Sequence, residues 1–174
     1  MTAMRSDRSR AVRICAYVLL LLAMFLLQHS RGTAVVLWQA TADGIPFFLA
    51  TLALLEGPYV AGSFGFFAGL LLALHTTTVE GLSALYLGLF GILFGLLGTY
   101  YMRPVLPSAL LGGTVCIAVQ GVLRYVFYYL LVYHMDALTA GRELLAEWLL
   151  ALPSGVLLWF VIGAIRRRFQ EKET

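Results

Sequence analysis

Apolar residues gather into six runs along the chain, parted by short polar or Gly/Pro breaks. Each run can be measured against the about 20 residues that carry a helix across a bilayer. The first covers 14–27, with Arg13 and Gln28 at its ends able to reach headgroups. Its arginine-rich lead, with small residues at Ser30 and Gly32, also has the outline of a secretory leader, but five further apolar runs favour a retained first helix. The second run is short. Asp43 suits an N-cap and Pro46 a first turn, which predicts a helix over 44–55. Such a helix rises only about 18 Å against a hydrocarbon core of about 30 Å. Residues 33–39, with Trp38 as an anchor, are therefore expected to cover it as an interfacial or re-entrant piece.

Glu56-Gly57-Pro58 is a tight turn that puts Pro58 at the first position of a third helix running to about His75. Thr77-Thr78-Val79-Glu80 has the spacing of a capping box and predicts a fourth helix over 78–100. Arg103-Pro104 and Pro107 end that helix and lead into a fifth over 108–133. A sixth is predicted over 142–165, with Pro153 in its interior as an expected kink.

Composition narrows the class. The chain has 174 residues, of which 61% are hydrophobic and 12% charged, half the share of charge found in soluble domains, about 25%. With a mean hydropathy of +0.88, a soluble globular protein is excluded, and the expected architecture is all-α: one polytopic membrane domain over 1–174 with six transmembrane helices. Arg5, Arg8, Arg10 and Arg13 lie near one terminus and Arg166, Arg167, Arg168 and Lys172 near the other. Placing both terminal tails, about 1–12 and 166–174, in the cytoplasm puts nine basic residues inside, Arg103 included, and only Arg31 and Arg142 outside. A net charge of +3 divided between two ends is no nucleic-acid footprint, and no nucleic-acid partner is expected. Cys15 and Cys116 sit inside apolar runs, where no disulfide framework is implied.

Gly62, Gly65 and Gly69 fall at i, i+3 and i+7, and Gly88, Gly91, Gly95 and Gly98 at i, i+3, i+7 and i+10. Each stripe lies on one helix face, where small residues let two backbones approach in lipid. A hairpin turning near Val79 pairs Gly69 with Gly88, Gly65 with Gly91 and Gly62 with Gly95, while Gly112 lies off both stripes and is expected to be tolerant. Arg124 lies within the fifth span and shares a face with Gln120 and Tyr128. A charge within a span faces protein or water. Depth matching sets it near Pro153, where it reads either as an internal tie or as part of a ligand or partner site. His29, His75 and His134 lack metal-ligand spacing, so no metal site is expected, and Tyr125, Tyr128, Tyr129 and Tyr133 read as an interfacial belt. No GxSxG, HExxH or phosphate loop occurs; neither catalysis nor a cofactor is expected.

The order of these features resembles a known family. Pro46-Phe47-Phe48-Leu49, then Leu54-Leu55-Glu56-Gly57-Pro58, Gly62, Gly65-Phe66, Gly69-Leu70-Leu71 and Gly81-Leu82-Ser83-Ala84-Leu85 resemble the core of the rod-shape-determining MreD family. Leu152-Pro153-Ser154 followed by Arg166-Arg167-Arg168 is similar to that family's end. Where the family often carries acids after the second-helix proline and at the end of the third helix, this chain has Phe47 and Ala73. The resemblance implies a non-enzymatic component of the bacterial cell-elongation machinery in the cytoplasmic membrane. It would work with an MreC-like protein and other elongation proteins and would regulate peptidoglycan synthesis. It also implies an architecture similar to the S components of energy-coupling-factor vitamin transporters. A substrate-binding S component is thus the alternative function. Against it, neither the first nor the third helix has the Ala-xxx-Ala face those proteins often show, and no loop clusters polar and aromatic residues for a vitamin. A small-molecule ligand is therefore not expected. The residues expected to pack helices or hold a partner are Gly57, Pro58, Gly62, Gly65, Phe66, Gly69, Gly88, Gly91, Gly95, Gln120, Arg124 and Pro153.

Overall fold

Residues 45–53 form an unbroken buried stretch, closed off on every side of one helix. A helix that is apolar all round has no face to offer water, and here it has none left for lipid either. The computed structural model describes residues 2–29, 36–37, 40–41, 43–74, 81–126 and 137–170. Their elements are α1 (Thr2–His29), β1 (Val36–Leu37), β2 (Ala40–Thr41), α2 (Ile45–Glu56), α3 (Pro58–Ala73), α4 (Leu82–Tyr100), α5 (Leu106–Arg124) and α6 (Ala137–Gln170). The enclosed helix is α2. It packs against α1, α3, α4, α5 and α6, and Phe47, Phe48, Leu49 and Leu52 from it, with Tyr17, Phe64, Leu87 and Ile162, make the largest buried cluster.

The fold is that of a helical membrane protein. Leu82–Tyr100, Leu106–Leu123 and Leu145–Arg168 are each long and apolar enough to cross a bilayer. Ala11–Leu26, Ile45–Glu56 and Pro58–Ala73 are apolar but shorter. Exposed Phe67, Leu70, Leu85, Leu89 and Leu93 coat the far side of the α3–α4 hairpin, a surface suited to acyl chains.

Arg13 of α1, the Glu56 end of α2, the Arg103 turn between α4 and α5, and Arg166 of α6 come to one end of the bundle, called here the basic end. Arg13 pairs with Glu56, Arg166 lies within electrostatic range of Tyr17, and Pro58 and Leu54 lie against the last turns of α4. Asp43 marks the opposite depth of α2.

Several boundaries differ from the sequence expectation, for local reasons. The fourth helix starts at Leu82 rather than at residue 78, because Gly81 takes φ 86°, a left-handed conformation outside the helix. The capping-box residues 77–80 and His75 lie outside the described residues. Pro107 sits in the first turn of α5, which therefore begins before residue 108. Tyr125 and Val126 widen into a π turn, and 127–133 lie outside the described residues. The sixth helix is longer than expected at both ends and runs unbroken through Pro153. Helix α1 reaches back to Thr2, so the expected tails continue largely as helix. Of the piece expected over 33–39, Val36–Leu37 pairs antiparallel with Ala40–Thr41, and β2 packs on α6.

Candidate functional site

The glycine stripes meet. A Cβ on Gly65 would collide with the backbone of Leu87, one on Gly69 with the backbone of Ala84, and one on Gly91 would come within 2.5 Å of the Ala61 carbonyl oxygen. A Cβ on Gly95 would lie 2.5 Å from the Pro58 Cα. Backbone touches backbone along this whole seam, which is how helices gain dispersion contact in lipid. The Ser83 hydroxyl fastens the far end by donating to the Gly69 carbonyl at 2.8 Å.

The register is one helical turn from the expected one. Gly69 meets Ala84 rather than Gly88, Gly65 meets Leu87-Gly88 rather than Gly91, and Gly62 stacks on Ile92 near Gly88 rather than on Gly95. The paired positions centre near residue 76 rather than near Val79, so each residue of α3 meets α4 about one turn earlier than expected. Gly98 does not continue the seam, since a Cβ there would meet Leu54 of α2. Phe66 flanks the seam, its Cβ 3.5 Å from that of a side chain placed on Gly88, and its ring packs edge-on against Phe67. Gly57 takes φ 90°, which turns the chain from α2 into Pro58.

Gly112 is not the tolerant position that its place off the stripes suggests. The Phe94 ring fills the space of its missing side chain, and the Phe47 ring does the same at the neighbouring Gly113. Phe47 also lies 2.7 Å from the Cβ position of Gly155 on α6. Adjacent glycines of α5 are thus sockets for rings from α4 and α2. Phe94 in turn stacks on Phe90, centroids 5.4 Å apart.

The basic end holds a polar node that the sequence reading did not single out. Arg13 Nη2 lies 3.3 Å from Glu56 Oε2, and the Tyr17 hydroxyl donates to Glu56 Oε1 at 2.8 Å. Tyr17 is wholly buried, and the two charged side chains are only 13% and 9% exposed. An ion pair at that burial needs both oxygens engaged to offset desolvation, and the phenol supplies the second bond. The legible signal was an acid between two apolar helices with an arginine at the same depth one helix earlier.

At the other end of α2 the Asp43 carboxylate accepts from the Ile45 amide at 3.1 Å, as its N-cap chemistry predicts, although Gly44 occupies the N-cap position itself. Gln120 donates to the same carboxylate across a long 3.4 Å. The pairing of α5 with α6 is set by Trp148 Nε1, which donates to the Thr114 hydroxyl at 2.9 Å, and by Leu110 beside Gly155. That register corrects the expected nearness of Arg124 and Pro153. Pro153 falls beside the first half of α5, whereas the backbone of Arg124 lies about 18 Å further along, toward the start of α6. The depth match failed because α6 already begins at Ala137 rather than at Arg142, so that equal depths on α5 and α6 pair lower residue numbers. Pro153 is exposed, and the following Ser154 hydroxyl donates to the Ala151 carbonyl at 2.6 Å. Tyr128, Tyr129, Tyr133 and His134 lie outside the described residues.

No family model, curated protein or solved structure matches the chain.

The sites therefore stand on geometry. The glycine seam, the two phenylalanine sockets and the Arg13–Tyr17–Glu56 node hold helices in fixed register around α2. Their chemistry is close packing and one neutralised charge pair.

Proposed function

We propose that the protein is a non-enzymatic scaffold of the bacterial cell-elongation machinery, spanning the cytoplasmic membrane six times with both termini in the cytoplasm. It would hold an MreC-like partner and so regulate peptidoglycan synthesis and cell shape. The carrying observation is where the family-like residues fall. Pro46-Phe47-Phe48-Leu49 lies in the enclosed helix, and Pro58, Gly65, Gly69 and Ala84 lie in the seam beside it. The resemblance thus covers the residues that fix the helix arrangement, as expected of a protein whose shape is its function. Gathering of Arg13, Arg103 and Arg166 at one end supports the orientation. The seam glycines cover one another, which favours the Gln120–Arg124 end of α5 as the proposed docking place.

Depletion tests the reading. Rod-shaped or ovoid cells are expected to round or widen, and an MreC-like protein to co-purify with the tagged chain. Arg124→Leu is expected to weaken co-purification while membrane insertion persists. Unchanged shape with collapsed uptake of a vitamin would overturn the proposal in favour of a transporter component.

A further inference from the structure

The charges are divided unevenly along the chain. Residues 1–13, 56, 103 and 166–174 carry nine basic and four acidic residues, and the remainder carries three basic and five acidic, which together give the net charge of +3. Glu56, one of those four acids, is already held by Arg13 and Tyr17. Beyond this node both terminal helices continue. Helix α1 extends from Arg13 back to Thr2, about 16 Å at 1.5 Å per residue, through the positions of Arg5, Arg8 and Arg10. Helix α6 continues past Arg166 to Gln170, and Arg167 and Arg168 on it are exposed. The two helices pack against each other, and Arg13 and Arg166 both lie within electrostatic range of Tyr17, so both extensions leave the bundle at the same end.

From this arrangement we infer that the basic turns of α1 and α6 form a binding surface for anionic phospholipid headgroups of the leaflet on that side. A sign preference alone would orient the chain. Two helical extensions that start from one node do more, because they carry their basic residues to headgroup depth on the same side, where each basic residue favours an anionic surface. Guanidinium groups also pair with phosphate through two parallel hydrogen bonds. Val12, Ile14, Leu157 and Phe160 on the same helices are exposed and offer apolar surface to the acyl chains of such a lipid. The inference does not depend on the proposed role in elongation.

Purified full-length protein is exchanged between vesicles of phosphatidylcholine alone and vesicles of phosphatidylcholine and phosphatidylglycerol in equal parts, and the lipid that stays bound after detergent extraction is counted by native mass spectrometry. Retained lipid is expected to be predominantly phosphatidylglycerol. At about fivefold in partition per arginine at low salt, Arg167→Gln with Arg168→Gln lowers that retention by about twenty-five-fold, and added salt also lowers it. Arg31→Gln with Arg142→Gln, outside the two terminal basic segments, leaves it unchanged. Equal retention of both lipids by the unaltered protein, which requires no variant to fold, overturns the inference. So does equal loss in the two double variants. Binding of heparin or an acidic protein in place of lipid, with no preference between the two vesicles, would assign the surface to a soluble polyanion and overturn it as well.

Discussion

The ring of Phe47 occupies the space that a side chain on Gly113 would need. One residue along α5, Phe94 stands in the same relation to Gly112, so α2 and α4 are keyed to α5 through neighbouring gaps in a single helix. Interiors packed to this density respond to changes of a single methylene.

Enlarging either socket residue is expected to force a ring out of place. Gly113→Ala and Gly112→Ala should each lower the melting temperature in detergent, whereas Gly163→Ala, where an added Cβ meets nothing within 4 Å, should leave it near the unaltered value. Phe47→Ala empties the same gap from the other side. Removing a phenylalanine from a water-soluble core costs about 3–5 kcal/mol, and with lipid as the reference chiefly the cavity part remains, about 2 kcal/mol.

Along the seam the obstacle is backbone, which cannot rotate away. Gly65→Leu and Gly69→Leu are expected to cost about 3 kcal/mol or more and to separate α3 from α4, read as lost thermal stability and faster proteolysis of the hairpin. Gly163→Leu is the comparison here too. Equal tolerance at all three positions would contradict the close crossing.

The Arg13–Glu56 pair predicts an asymmetry between single and double variants. Glu56→Ala strands a guanidinium that is 13% exposed and should cost about 3–5 kcal/mol. Replacing both partners by apolar residues should cost less than either single change. Tyr17→Phe removes a hydrogen bond to a charged acceptor and should cost about 1.5–3 kcal/mol. Additive losses in a double-mutant cycle would show that the contact contributes little.

Orientation is checked with reporter fusions. Fusions after Arg103 and after Thr174 should read cytoplasmic and one after Thr139 should read external. A periplasmic C-terminus would refute the six-span arrangement.

Helix existence was legible from the six apolar runs because each needs its own punctuation, and Asp43, Pro58 and Pro107 supplied it. The turn chemistry of Gly81 was less legible. A capping box and a left-handed glycine competed four residues apart, and only the glycine marks where the described helix begins. Stripes with helical spacing disclosed the seam. Sockets did not disclose themselves, since Gly112, Gly113 and Gly155 acquire meaning only from rings contributed by α2 and α4, which no local spacing reveals. Glu56 was visible as an acid in an apolar setting, yet its partners are separated from it by more than three dozen residues.

Synthesis poses a particular problem for α2. Alone, its twelve residues rise about 18 Å and leave its first amides in hydrocarbon, where each unsatisfied group costs several kcal/mol. The helices that close over it, α5 and α6, begin only at Leu106 and Ala137. A ribosome adding about 5–20 residues per second needs several seconds to reach them. During that interval the nascent segment cannot rest in lipid as it does in the finished bundle, so it must wait in a sheltered place, such as the insertion machinery or the hairpin of α3 and α4, until the later helices arrive.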